Sequence, residues 1–373
     1  MSQSKQRKIL YILTKSDLGG VSKYLLEITK GLDKNITPYY IMSSEGYFSE
    51  ELKKLGIKDE QIFFVPMTNS IFDIKTHIKS NLETLKIIKK IKPDLIHCNS
   101  MTGGLVGRIC GALSNIPVIF TAHGWTFSGG YSKGKLFFYK VLENLLALMT
   151  NKIICVSEHD LLIGKKYLPL FKDKMLMIHN GISDIENKYI KKDFSKEELK
   201  IVMIARFSWP KDPYLLLEAV NSLINEGLNI KLDFYGYGEY VNDLKSKIQK
   251  YNKNSISFMG LAENIPEILL NYDVYALTSD KEGLPISIIE ALRSGLPILV
   301  SDVGGNSECV KNNGYLVKRQ DINDCKEKIK RLISPENDLK TLGQKSRKLY
   351  EEDFKTGNML ENIMKVYYDN FKK

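Results

Sequence analysis

Cysteine is sparse and scattered. Cys98, Cys110, Cys155, Cys309 and Cys325 are odd in number and no C-x-x-C occurs, which excludes a disulfide scaffold and the common zinc frameworks and points to a reducing compartment. Long apolar runs are also missing. The run after the basic Lys5, Arg7 and Lys8 is only Ile9 to Leu13, too short for a secretory leader, and no stretch approaches the ~20 apolar residues of a membrane span. A cytoplasmic protein is expected, able to sit peripherally on the inner face of the plasma membrane. The five histidines (His77, His97, His123, His159, His179) show no metal-ligand spacing. There is no Walker P-loop and no D-x-D to hold a divalent ion on a nucleotide diphosphate; Asp280-Lys281-Glu282 comes nearest. Any bound diphosphate would have to be neutralised by arginine, lysine and a helix terminus, so no metal and no cofactor is expected.

What is present suits a soluble chain of two domains. It has 373 residues, 43% of them apolar and 26% charged, ordinary proportions for a globular protein at roughly 150 residues per domain. The net charge of +10 is unevenly placed: residues 1–190 hold 26 lysines and arginines against 17 acids, and residues 191–373 hold 28 against 27. A basic first half is either a solvated lysine-rich surface or a binder of phosphate-rich partners such as anionic lipid headgroups and nucleotides. Nucleic acid is not expected, because the basic residues are not interleaved with aromatic platforms.

The pattern along the chain is strand, loop, helix, repeated in two halves. Lys8–Leu13 is a short apolar strand. It ends in Asp17-Leu18-Gly19-Gly20, after which Val21, Tyr24, Leu25, Ile28 and Leu32 recur at helical spacing. Further strands are expected at Thr37–Met42, Gln61–Val65, Leu95–Asn99, Val118–Ala122 and Lys152–Val156, with helices near 48–55, 76–91, 103–114, 132–148 and 158–167. A polar stretch at 184–198 reads as a linker. The alternation then restarts with strands at Leu199–Ala205, Lys231–Tyr235, Ile256–Met259, Asp273–Leu277 and Pro297–Ser301, helices between them, and helices near 322–333, 336–351 and 356–371. This predicts two doubly wound parallel α/β domains, 1–183 and 199–355, whose ligands bind beyond the carboxyl ends of the strands, in the cleft that two such domains make. Residues 356–373 form a last helix.

The informative residues fall in loops after strands. In DKEGLPISIIEALRSGLP (280–297), Pro285 suits the first helical position and Gly295 its C-terminal cap. The helix N-terminus offers free amides and a positive dipole end to an anion. Glu282 before that helix and Glu290 in its second turn are repelled by phosphate and better explained by neutral hydroxyls, on a sugar and a ribose; alone, they would read as a capping acid and a solvated one. Arg206 and Lys211, in the first loop of the second half, can clamp a diphosphate or be two ordinary surface cations. His123, beside Gly124 at a strand end, can bond a substrate hydroxyl or stabilise developing charge, or be a structural histidine. Gly19-Gly20 and Gly236-x-Gly238 let a backbone approach a ligand closely, or are tight turns.

These residues carry a resemblance. The Glu282-x7-Glu290 pair within EGLPISIIEALRSGLPILVSDVGGNSE, with ARFSWPKDP, HNGI, TAHGW and DLGGVSKYLLEI in that context, is similar to the family 4 glycosyltransferases, which are retaining, metal-independent and of the GT-B fold. The resemblance covers essentially the whole chain, and bacterial capsule, exopolysaccharide and O-antigen members look closest. It implies that a sugar passes from a nucleotide diphosphate, UDP in the first instance, to a saccharide acceptor bound by the first domain, such as a polyprenyl-diphosphate saccharide. It implies that Glu290 bonds the ribose and Glu282 the donor sugar. Arg206 and Lys211 hold the diphosphate, helped by Gly19 and Gly20 and by the Gly283-Leu284-Pro285-Ile286-Ser287 turn. His123 lies against the sugar, and Gly236, Asn180 and Glu308 complete the donor pocket. It also implies that the last helix returns to the first domain. One departure stands out: many members have Phe-Gly where this chain has Leu284-Pro285, and proline donates no amide hydrogen, so the phosphate contacts must shift along the turn.

Two other readings share these residues: a sugar-nucleotide 2-epimerase, which needs no acceptor, and a non-catalytic scaffold that binds sugar nucleotide. In the first half, Tyr131–Leu148 combines aromatics, Lys133, Lys135 and Lys140 with an apolar face, which suits either an interfacial helix on an anionic membrane or a helix packed in the core.

Overall fold

A computed structural model describes residues 6–68, 70, 72–191, 193–194, 197–251, 254–334 and 336–371. They fall into two compact units, one running to Gly181 and resuming at Thr356, the other Ile182–Lys355.

The first unit is built on strands β1 (Arg7–Ile12), β2 (Ile36–Met42), β3 (Ile62–Phe64), β4 (Leu95–Asn99), β5 (Val118–Ala122), β6 (Lys152–Cys155) and β7 (Met175–Met177). They are parallel and lie in the order β3-β2-β1-β4-β5-β6-β7. Between them run α1 (Gly20–Lys30), α2 (Tyr47–Lys54), α3 (Ile74–Ile91), α4 (Met101–Ser114), α5 (Lys133–Leu148) and α6 (Glu158–Tyr167). Every residue of β4 and β5 is buried, as expected of parallel strands covered on both faces. Helix α3 starts two residues before its expected position because the Asp73 carboxylate accepts the Thr76 amide at 3.1 Å and caps it.

The second unit repeats the plan. Strands β8 (Leu199–Arg206), β9 (Ile230–Tyr237), β10 (Ile256–Gly260), β11 (Val274–Leu277), β12 (Ile298–Ser301) and β13 (Gly314–Val317) form a parallel sheet in the order β10-β9-β8-β11-β12-β13. Its helices are α7 (Pro213–Asn225), α8 (Val241–Lys250), α9 (Ile265–Leu270), α10 (Ile286–Arg293), α11 (Ile322–Ile333) and α12 (Leu339–Asp353). In each sheet the strand order reverses beside the first strand, between β1 and β4 and between β8 and β11. That is where a doubly wound sheet opens a crevice at its carboxyl edge.

Helix α13 (Thr356–Asn370) belongs to the first unit. It buries Met359, Ile363, Val366 and Tyr367, and its Tyr367 hydroxyl meets His97 Nδ1 at 2.7 Å while Thr356 Oγ1 donates to Glu27 Oε2 at 2.6 Å.

Three expectations are corrected. The polar stretch after 183 is not a free linker. Asp184 takes a two-pronged bond from Arg347 (2.7 and 2.8 Å), and Lys191 donates to the Leu270 carbonyl at 2.9 Å and pairs with Asp273, so its charges are spent on the second unit. Residues 192, 195 and 196 of that stretch lie outside the described residues. The two edge strands β7 and β13 were not expected; at three and four residues they are too short to show a period. Helix α10 begins at Ile286, with Pro285 in the cap position, and Gly295 follows the last turn at φ +74°.

Candidate functional site

The carboxyl edge of the second sheet gathers most of the candidate residues. Strand β8 ends in Arg206, and the loop after it is laced to the segment after β11. The Asp212 amide donates to the Thr278 carbonyl at 3.0 Å, the Asp280 amide to the Pro210 carbonyl at 2.8 Å, and the Thr278 hydroxyl to the Asp212 carbonyl at 2.5 Å. This antiparallel lacing sets Lys211 against Glu282. Their ion pair is close, and Ser279 Oγ donates to the same carboxylate oxygen at 2.5 Å. Both side chains are largely enclosed, at 18% exposure for Lys211 and 10% for Glu282. Glu282 Oε2 bonds no described residue, and the Lys211 ammonium keeps two of its three donors. Arg206 is exposed and makes no ion pair with any described residue.

The turn carrying Glu282 is held from behind by the 3-10 turn Gly304–Cys309. The Gly305 amide donates to the Gly283 carbonyl at 2.7 Å. Gly304 has φ +57°, and a Cβ there would lie 2.0 Å from the Glu282 carbonyl oxygen, so only glycine fits. Glu308 sits half-buried in the same turn. Pro285 then leads into α10, whose first amides, at Ile286 and Ser287, have no partner within the helix. Leu284 is buried and anchors the turn. Glu290, one turn further, is 7% exposed. Beneath it, the Tyr275 hydroxyl donates to the Ile204 carbonyl at 3.1 Å. Burial drives that phenol well above its usual range and the Glu290 and Glu282 charges add to the rise, so it stays protonated. Gly236 lies opposite Ala205 in the neighbouring strand β9: at φ +148°, it would place a Cβ 1.8 Å from the Ala205 carbonyl oxygen.

The two carboxylates of Asp280-Lys281-Glu282 are divided between protein cations. Asp280 accepts Arg319 Nε and Gln320 Nε2, each at 2.8 Å, while Glu282 faces Lys211. Among the described residues no cluster of three or more histidine, cysteine or acidic side chains forms a metal site.

The first unit holds the other candidates at its own carboxyl edge. His123 follows β5 and packs edge-on to Tyr24, ring centroids 4.8 Å apart. Its Nε2 is 2.9 Å from Asn99 Oδ1. Burial pushes the imidazole down to about 3, so the ring is neutral. Asn99 Oδ1 can only accept, so Nε2 carries the hydrogen and Nδ1 is left as an acceptor that no described residue occupies. Asn99, fully buried at the end of β4, was missed by sequence reasoning; its one signal is that it closes a strand at the switch point. Its Nδ2 has no partner among the described residues. Gly19 caps α1 in an extended conformation, and a Cβ on Gly19 or Gly20 would meet nothing within 4 Å. Packing therefore does not require either glycine. Asn180 is buried in the first unit, past β7, and is not among the residues gathered on the second sheet.

Comparison with known proteins fits this division. The family described as glycosyl transferases group 1 matches residues 184–349, and that described as glycosyltransferase family 4 matches residues 18–184. The UDP-Gal:alpha-D-GlcNAc-diphosphoundecaprenol alpha-1,3-galactosyltransferase of Escherichia coli is 32% identical over 82% of this chain and 83% of its own. The capsular polysaccharide biosynthesis glycosyltransferase CapM of Staphylococcus aureus is 24% identical over 97% of both chains. Among solved structures, Anabaena Alr3699/HepE in complex with UDP and glucose superposes with a TM-score of 0.80 at 18% identity, covering 97% of this chain and all of that one.

Proposed function

The chain belongs to the family 4 glycosyltransferases, of GT-B fold, and from that premise we propose that it moves a sugar from UDP to a lipid-linked saccharide, with retention of anomeric configuration and without a metal. It is a glycosyltransferase of bacterial polysaccharide synthesis. The observation that supports the finer reading is the Lys211–Glu282 pair in the loop that follows Arg206, the last residue of β8, which makes no ion pair with any described residue, at the switch point of the second sheet. Two cations and the α10 amides of Ile286 and Ser287 suit a diphosphate, and the turn amides at Gly283 and Leu284 flank them. The free Glu282 oxygen suits a sugar hydroxyl. Glu290 suits a ribose, as an enclosed carboxylate able to accept hydroxyl bonds, with Gly236 and Glu308 assigned to the same pocket on the resemblance. In the first unit, the His123 Nδ1 lone pair suits a sugar hydroxyl, the bare backbone at Gly19 and Gly20 suits a phosphate, and the acceptor binds on this unit. Asn180 is assigned to the donor pocket on the resemblance alone. UDP is favoured by the names of one relative and one structural neighbour, and a diphospholipid acceptor by the relative's name.

In the reaction the bond from the anomeric carbon to the diphosphate oxygen breaks, leaving positive charge on the sugar ring and negative charge on UDP. Arg206, Lys211 and the helix terminus meet that negative charge. Donors aimed at developing charge are each worth ~3 kcal/mol. The acceptor hydroxyl oxygen forms the new bond on the face that UDP leaves, and its proton passes to the departing phosphate oxygen. Asp280 and Glu282 are each paired with a protein cation, which supports a site that neutralises the diphosphate without a divalent ion.

The test is transfer from UDP-sugars to an undecaprenyl-diphosphate saccharide in detergent and EDTA, with the product anomer read by NMR. An α-linked product from an α-linked donor is expected. A β product, a trapped glycosyl-enzyme adduct or a strict need for added metal overturns the corresponding clause. Conversion of donor alone into its epimer would make the chain an epimerase, and donor binding without turnover a scaffold.

A further inference from the structure

Helices α3 and α5 of the first unit each carry an apolar stripe on the outside as well as the face they bury. Helix α3 buries His77, Ser80 and Thr84 along its first three turns and Ile88 and Ile91 toward its end, and turns Ile74, Ile78 and Leu82 to solvent, Ile74 at 67% exposure. Helix α5 buries Tyr139, Leu146 and Ala147 together with Glu143, which takes a two-pronged bond from the fully buried Arg108 (2.7 and 3.2 Å). It exposes Phe137, Val141, Leu145 and Leu148, at 42% or more. Both helices pack on α4, and the rings of Phe72 and Phe138 meet at 5.5 Å, joining the two stripes. A surface helix normally keeps its polar face outward, and a joined apolar patch of this kind marks an interaction surface.

The fully exposed charges of the two helices are lysines. Lys75, Lys79, Lys86 and Lys133 are exposed on these two helices. Their acids are Glu83, near Lys79, and the buried Glu143. A second copy of this chain docking patch to patch would set lysine against lysine, because a two-fold interface pairs the same surface with itself. An anionic bilayer complements both features: apolar side chains enter the headgroup boundary and lysines meet the lipid phosphates. No helix among the described residues is long and apolar enough to cross, so the contact is interfacial.

We propose that the α3–α5 face docks on anionic membrane, with Phe137, Leu145 and Leu82 inserted and the lysines around them on headgroups. For its purpose, presenting a lipid-linked acceptor to the first unit, the inference rests on the proposed function; the binding itself does not.

The experiment is co-sedimentation of the full chain with vesicles of phosphatidylcholine, with and without an equal part of phosphatidylglycerol. Binding is expected only with phosphatidylglycerol. Leu82→Ser/Phe137→Ser/Leu145→Ser should weaken it at least ~100-fold, since one buried side chain of this size is worth about tenfold or more. Lys75→Glu/Lys79→Glu/Lys133→Glu should weaken it at least ~100-fold, at roughly fivefold per lysine. Both variants change exposed positions, so circular dichroism and UDP binding should match the parent. Binding that ignores phosphatidylglycerol, that survives the serine substitutions, or that is replaced by dimerisation abolished by those substitutions, overturns the inference. Transfer in detergent is scored separately: activity there without vesicle binding sinks the docking face alone, and vesicle binding without activity sinks the proposed reaction alone.

Discussion

The Lys211–Glu282 pair makes a charge prediction that a simple list of binding residues does not. Arg206, Lys211 and Glu282 together carry one net positive charge at the proposed diphosphate site. Lys211→Ala removes a cation and also strips Glu282 of its partner, so the local sum falls to zero with a bare, largely enclosed carboxylate facing the phosphates. Two unit charges ~4 Å apart at an effective dielectric near 20 interact by ~4 kcal/mol, and part of this was already spent within the pair. A loss of about 3 kcal/mol in UDP affinity, roughly 150-fold, is the working figure. Glu282→Gln keeps the shape and the acceptor for Ser279 but raises the local charge, so UDP should bind at least as tightly while transfer falls on the order of 10²-fold. The double variant Lys211→Ala/Glu282→Gln restores the net charge and should recover about tenfold in UDP affinity over Lys211→Ala, without recovering turnover. Calorimetry of UDP binding across the four proteins, with transfer rates alongside, decides this. If the double variant binds UDP no better than Lys211→Ala, or if Glu282→Gln alone weakens UDP, the electrostatic reasoning is wrong.

Glu290→Ala should weaken UDP by about 2 kcal/mol, near thirtyfold, at the loss of hydrogen bonds to a charged group, and should equalise UDP with its 2′,3′-dideoxy analogue; persistent discrimination would move the ribose contact elsewhere. Asn99→Ala removes the partner of His123 Nε2 and should cost about fivefold in turnover. Asn99→Asp should lift His123 from about 3 toward the neutral range and create a new acid limb in the rate profile, which a purely structural asparagine would not. His97, held between Tyr367 and Thr121 at 2.7 Å each, is pushed down to about 3 by burial, with His123 adding slightly. An unfolded histidine titrates near 6.5, so below that pH the unfolded chain binds the proton and the folded one does not. Its contribution is complete above about pH 6.5 and is lost as pH falls toward 3, by up to ~1.4 kcal/mol per pH unit. Urea midpoints taken near neutrality and about two pH units lower should fall less in His97→Gln than in the parent; equal falls would remove His97 as a source.

The sequence read well where one residue type in one place had one physical use. Apolar runs such as Val118–Ala122 could only be buried parallel strands, and those bounds match. Edge strands β7 and β13 escaped because a strand of three or four residues has no period to read. The stretch from Asp184 was taken for a linker because composition cannot tell a solvated charge from a paired one, and Arg347, its partner, lies 163 residues on. The same limit governs the site. Arg206, Lys211, Glu282 and Glu290 were all named, yet the meeting of Lys211 with Glu282 across 71 residues had no local signature. It is made by backbone bonds between 210–212 and 278–280, groups that every residue carries. Asn99 was silent for the opposite reason: its role comes from its register opposite Thr121, which brings it under His123, and register is a property of the sheet. Residue types therefore limited which chemistry this chain could hold, and the pairing of its strand ends decided which of those groups act on one another. Thr278→Val leaves every named residue and both backbone bonds in place but removes the side-chain bond to the Asp212 carbonyl, so it should loosen the lacing and weaken UDP binding through Lys211 by about fivefold, the net worth of one hydrogen bond. Full affinity in that variant would show that the backbone bonds alone hold Lys211 in place.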